Sequence, residues 1–202
     1  MSGIVNVRGA RSGIIGTTEG TTVAGEGMNL VYNTSSTTDT HTSVFSTTYH
    51  TYTFIIGEQI PNTDNTGVYF QFLDASNNAI TTNAYKGFSI GGEMTGDNAA
   101  GSDEYRARWN QDKFDFFAGG GNPTNNSGYG GISGNFTIHM PFPSNRGIFV
   151  NGSFGHMRYQ GTKTHTGSWY GNLGSNQQST GFKMWAGGGW ASQKLWVYGH
   201  KT

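Results

Sequence analysis

From Thr51 to Ile56 the chain alternates in strict order: Tyr52, Phe54 and Ile56 fall on one side, Thr51, Thr53 and Ile55 on the other. That period of two is the spacing of a half-buried β-strand, whose successive side chains point to opposite faces. After the turn-forming run IPNTDNTG, Val68-Tyr-Phe-Gln-Phe-Leu repeats the pattern and puts Val68, Phe70 and Phe72 on one face. The spacing predicts two antiparallel neighbours joined by a loop of about ten residues, longer than a tight hairpin. Asp74-Ala-Ser-Asn-Asn is a further turn signal, and strands are expected at Ala84–Ile90 and Glu104–Trp109, either side of GGEMTGDNAAGSD.

The C-terminal third is the most regular. Phe136, Ile138 and Met140 share a face, Gly147 to Tyr159 reads as a long or bent strand, and Phe182-Lys-Met-Trp-Ala and Lys194-Leu-Trp-Val-Tyr-Gly close the chain. Together these segments make about eight strands divided by turn clusters, which is the pattern of a sandwich or barrel. Apolar residues do not recur at helical spacing, so little helix is expected. Residues 115 to 131, rich in Gly and Asn, read as one long surface loop, a type of loop that is uncommon unless it contacts something. Thr and Ser dominate residues 21 to 50, as expected of edge strands and connections.

Two short apolar bursts, Ile4-Val5 and Ile14-Ile15, lie within residues 1–20, separated by a basic, Gly-bearing link with Arg8 and Arg11. The segment reads as an extended N-terminal arm ahead of a domain spanning 21–202. Either Ile14 and Ile15 dock in a neighbour's groove or add a strand to its sheet edge, with Arg8 and Arg11 at that interface, or the segment is a locally docked terminus.

Composition sharpens the picture. The chain has 33 Gly among 202 residues, with 14% aromatic and 12% charged residues, where ordinary domains have roughly 7% Gly and about 25% charge. Many aromatics and few charges argue against disorder. Twelve basic and twelve acidic residues cancel, so no overall field draws in nucleic acid or an anionic membrane, and a neutral chain tends to associate. With no Cys, disulfides, thiolate nucleophiles and Cys-ligated zinc are excluded. The first residues contain no long apolar run, so neither a secretory signal nor a membrane-spanning helix is expected there.

The residues for chemistry are present without the spacing that chemistry needs. There is no Gly-x-x-x-x-Gly-Lys-Ser/Thr phosphate loop. The six histidines have no ligand spacing, and the adjacent acids Asp103 and Glu104 alternate to opposite faces if they lie in a strand. No catalytic, cofactor or metal residues are assigned, and an enzyme is not expected. Large aromatics concentrate near the C-terminus, and Trp169, Tyr170 and Trp190 are the candidate surface contacts, since an aromatic ring beside Asn or Gln can stack on a sugar or anchor an interface.

The C-terminal Phe182-Lys-Met-Trp strand, the Gly-rich turn after it and Lys194-Leu-Trp-Val-Tyr-Gly-His-Lys resemble the jelly-roll virion structural proteins of tailed bacteriophages, especially marine and cyanobacterial phages. Tyr49 to Leu73 is similar to the paired strands near the start of that domain, and Arg11-Ser-Gly-Ile-Ile-Gly-Thr to the short tag ahead of several head-surface and tail modules. The resemblance implies an all-β jelly-roll β-sandwich with no catalytic residues, made in the host cytoplasm and carried in the virion. It implies as partners the major capsid protein or other virion proteins, and further copies of itself, expected as a trimer. The first role implied is a capsid decoration protein that cements the head. The alternative is a tail-fibre or receptor-binding protein that contacts host-surface glycan. The absence of heptads, and so of a coiled-coil shaft, favours decoration.

Overall fold

A computed structural model describes residues 27–81, 84–95, 103–116, 131–142, 147–157 and 163–201. Residues 1–20, with the expected arm and Arg8, Arg11, Ile14 and Ile15, lie outside the described residues, as does most of the Gly/Asn-rich run before Gly131.

The described residues form twelve strands and no helix. They are β1 (Met28–Thr34), β2 (Thr40–His41), β3 (Thr51–Pro61), β4 (Val68–Leu73), β5 (Tyr85–Thr95), β6 (Asp103–Gln111), β7 (Phe114–Asp115), β8 (Ile132–His139), β9 (Ile148–Met157), β10 (Lys163–Leu173), β11 (Gly181–Ala186) and β12 (Trp190–His200). All pair antiparallel, in an eight-stranded sheet ordered β1-β12-β3-β8-β9-β10-β5-β6 and a four-stranded sheet ordered β2-β11-β4-β7. The two sheets pack face to face as a β-sandwich, so the all-β expectation holds, while the strand count of about eight is corrected to twelve.

Two further expectations change. β3 and β4 are not hydrogen-bonded neighbours: β3 pairs with β12 and β8 in the large sheet, β4 with β11 and β7 in the small one. The loop between them crosses from one layer to the other, which lets both apolar faces meet across the core. Likewise Phe114–Asp115 forms the short β7 rather than opening a surface loop, and Phe116 is buried beyond it. The weakly patterned stretch before residue 50 does supply outer strands, β1 to the large sheet and β2 to the small one.

Aromatic rings fill the space between the layers. Phe54 and its cross-strand partner Phe136 stack at 4.3 Å in the large sheet, and Phe70 and Phe182 stack at 5.4 Å in the small one. Between the sheets the contacts turn edge to face, Phe54 on Phe182 at 4.9 Å and Phe70 on Phe136 at 5.6 Å. Offset stacks and edge-to-face contacts are the arrangements the ring quadrupole favours, so the core has directional preferences beyond area burial. Polar bonds join the layers where strands end. The Phe72 N–H donates to the Tyr85 hydroxyl at 2.9 Å, and Trp190 Nε1–H donates to the Met184 carbonyl at 3.1 Å. Burial of the Tyr85 phenol pushes its pKa well above the ordinary value, so it stays a neutral cross-link at any working pH.

One turn depends on glycine. Gly131 sits at φ +56° just before β8, and a Cβ there would run into the Gln59 carbonyl of β3. Gly131→Ala therefore meets left-handed backbone strain of about 1–2 kcal/mol plus a clash with main chain that has no rotamer to escape into. The expected result is a fall in melting temperature of at least about 4 °C, seen by calorimetry. Gly131→Asn should not rescue it, because asparagine tolerates the dihedral but carries the same Cβ.

Candidate binding surface

The outer face of the large sheet can be read rung by rung, since residues opposite one another in an antiparallel ladder share a face. One rung runs Ala107 (β6), Phe88 (β5), Tyr170 (β10), Asn151 (β9) and Thr137 (β8). The rung on one side begins Tyr105, Ile90, Ser168 and Ser153, and the rung on the other carries Lys86, Asn172, Phe149 and His139. Trp109 is the next outward position of β6.

The large apolar side chains left exposed among the described residues are Ile90, Tyr105, Trp109, Phe149 and Tyr170. All stand on this face, on β5, β6, β9 and β10, and Tyr105 and Trp109 are 68% and 66% exposed. Single exposed apolar residues are ordinary, whereas a cluster of them on one face marks a contact surface. Phe88 ties the cluster together, packing edge-on to Tyr105 at 5.0 Å and tilted against Tyr170 at 6.3 Å. At about 4.8 Å between strands and about 3.4 Å per residue, the three rungs from β6 to β9 span roughly 15 Å each way.

Toward β8 the same face becomes polar. The His139 Nε2 and Asn151 Oδ1 atoms are 2.9 Å apart, and Thr53 Oγ1 meets His200 Nε2 at 2.8 Å. Burial, and then the neighbouring His139, lowers the pKa of His200. Trp196 closes the far end by lying across Gly57, where any side chain would displace its indole.

Of the aromatics singled out from sequence, Tyr170 lies half exposed within this cluster. Trp169 and Trp190 are core residues, 2% and 3% exposed, which corrects the expectation that they face solvent. Trp169 is one residue from Tyr170 on β10 and so points to the inner face, where it packs on Phe114 at 4.9 Å and Phe116 at 4.6 Å. Tyr105, Trp109, Phe88 and Phe149 were not singled out. A signal for the first two existed in the alternation of Tyr105, Ala107 and Trp109, but alternation does not say which face is covered.

On the inner face, His156 and His165 oppose each other across β9 and β10, both buried, with ring centroids 5.2 Å apart and Phe154 against both. The hairpin register brings together two histidines nine positions apart, a spacing that matches no ligand motif. Among the described residues no group of three or more His, Asp or Glu side chains is gathered as a metal site, and no helix is long and apolar enough to cross a membrane.

No family model matches the chain, and neither a curated protein nor a solved structure matches it.

Proposed function

We propose that this chain is a non-enzymatic structural protein of a bacteriophage virion, a decoration protein that binds the major capsid protein or a neighbouring virion protein through the outer face of β9, β10, β5 and β6. The observation that carries the reading is the clustering of Ile90, Tyr105, Trp109, Phe149 and Tyr170 on that one face. Exposing these side chains to water is unfavourable by area alone, and a partner that covers them recovers that free energy. The neutral charge balance fits association driven by apolar contact rather than by electrostatic steering. The resemblance of the C-terminal strands to jelly-roll virion proteins supports both the setting and the absence of a reaction centre.

A second reading, a receptor-binding protein of the tail, draws on a specific arrangement. The Tyr170 ring is flanked by Asn151 on its own rung and Asn172 on its own strand. An aromatic face beside amides suits a sugar ring, whose C–H side stacks while its hydroxyls form hydrogen bonds.

Purified virions test the two directly. Decoration expects a copy number that matches the head lattice, and the tail reading expects only the few copies of a tail organelle. Tyr170→Ala and Phe149→Ala, both on the exposed face, should each change folding stability by less than about 0.5 kcal/mol. Added to particles lacking the protein, they should bind with a Kd weakened about thirtyfold if these rings are interface anchors worth about 2 kcal/mol. Undiminished binding by both variants would remove this face from the contact.

A further inference from the structure

Between Gln111 and Phe114 the chain passes from β6 in the large sheet to β7 in the small one. A cleft opens in the angle of that crossing, bordered by Gly87 and Ser89 of β5, Arg108 of β6, Phe114 of β7 and Trp169 of β10. It measures about 250 Å³ out to its mouth, less than the roughly 300–1,000 Å³ of pockets that enclose a whole ligand. The space suits one functional group.

The polar groups that reach this cleft are donors. Ser89 and Trp169 oppose each other across β5 and β10 on the inner face, 6% and 2% exposed. Trp169 Nε1 stands 3.5 Å from the point where a Cβ would lie on Gly87, which directs the indole N–H at the opening. Arg108 lies opposite Gly87, on the inward side of β6, since Ala107 and Trp109 on either side of it face out. Among the described residues, the indole N–H, the Ser89 hydroxyl and the Arg108 guanidinium make no hydrogen bond or ion pair.

The other charges at the rim are turned away or engaged. Asp115 opposes Tyr69 in the β4–β7 ladder and alternates with the buried Phe114, so its side chain leaves the small sheet on the outer face. Lys113 Nζ lies 5.0 Å from the centre of the Tyr69 ring and 3.4 Å from Asp112 Oδ1. The cleft therefore offers three donors and one uncommitted positive charge. A buried donor without an acceptor is unfavourable, and a carboxylate supplies two oxygens that take a guanidinium fork and still accept from an N–H and an O–H. A neutral hydroxyl would leave the guanidinium charge unmatched.

We propose that this cleft binds the carboxylate group of a small organic acid, with Arg108 as its charge partner and Trp169 and Ser89 as buried donors. The missing Cβ of Gly87 keeps the indole N–H accessible. The site lies on the opposite side of the large sheet from the exposed aromatic cluster, and it does not depend on the proposed virion role.

Each of the five tryptophans gives one indole signal in a nitrogen–proton correlation spectrum, and assignment singles out that of Trp169. At pH 7, in a buffer free of carboxylate and phosphate, acetate and glucuronate should both move this signal saturably. Glucose, which has the ring without the carboxylate, should not. Arg108→Gln should raise the dissociation constant for either acid at least about tenfold. Gly87→Ala places a methyl group at ordinary contact distances, 3.5 Å from Trp169 Nε1 and 3.8 Å from Phe114 Cδ1. It should fold as the parent does, with the rest of the spectrum preserved, and lose the response. A Trp169 signal that moves with neither acid, or as readily with phosphate or glucose, would overturn the proposal. So would a response that persists undiminished in both variants.

Discussion

Phe70→Ala is expected to destabilise the fold by about 3–5 kcal/mol, the range for truncating a fully buried phenylalanine. Phe70 has no exposed surface and lies within 6.1 Å, centroid to centroid, of Phe54, Phe72, Phe116, Phe136 and Phe182. Two of those rings, Phe54 and Phe136, belong to the opposite sheet, so the cavity would open at the seam where the layers join. The surrounding rings are themselves interlocked and have little freedom to collapse into the space. Against a total stability of about 5–15 kcal/mol, the loss is a large fraction. Urea unfolding at pH 7 should show a lower midpoint with an unchanged slope. A loss under about 1 kcal/mol would mean that the two layers do not meet through this residue.

Acidification is the second large effect, and it acts through His41. This residue, on β2, is 2% exposed, its Nδ1 is 2.8 Å from the Tyr32 hydroxyl, and its ring packs on Phe182 at 4.6 Å. Its Nε2 is buried and has no hydrogen-bond partner among the described residues. A charged ring would carry a proton on each nitrogen, one of them facing no acceptor, so burial lowers the pKa from 6.5 to about 4. The unfolded chain binds this proton near pH 6.5 and the folded chain not until about 4. Stability from this group is therefore complete above about pH 6.5 and is lost as the pH falls toward 4. At about 1.4 kcal/mol per pH unit of separation, the ceiling is about 3 kcal/mol.

Two other groups modify the profile. His200 is shifted in the same direction by burial and by His139, which adds to the acid loss. Asp39 is shifted upward by burial, offset in part by Lys183, so its protonation in acid works the other way. The comparison that isolates His41 is His41→Gln, which keeps a polar side chain toward Tyr32 and cannot titrate. Urea unfolding at pH 7 and pH 4.5 should show a markedly smaller acid loss in the variant than in the parent. Equal losses would move the acid sensitivity elsewhere.

Much of the sandwich was legible along the chain because a half-buried strand writes its burial into alternate positions. Tyr52, Phe54 and Ile56 do face the core, as do Val68, Phe70 and Phe72, and Phe136 and Ile138. Where alternation is faint, the strands leave little trace in the sequence, for identifiable physical reasons. β2 and β7 are two residues each, too short to show a period. β3 and β4 are adjacent in sequence and alike in pattern, yet they lie in different sheets, because an apolar face can be covered from across the core as readily as it can be extended sideways.

The exposed surface was legible only in part for a related reason. Tyr170 and Trp169 are consecutive on one strand, so one must face in and the other out. Which does so depends on where the four-stranded sheet lies. That sheet covers the inner face, on which Gly87, Gly152 and Gly171 neighbour Trp169, and the indole fills the room they leave.

By itself, then, the amino-acid order determined that this protein is built of antiparallel strands with aromatic inner faces, since a two-residue period and turn-forming clusters are local properties. Only the tertiary structure decided the division into sheets of eight and four, the side on which β5, β6, β9 and β10 expose their aromatics, and the meeting of His156 with His165. Strand partnership and face coverage are set by contacts between residues far apart in the chain, and a local pattern is equally compatible with either side being covered.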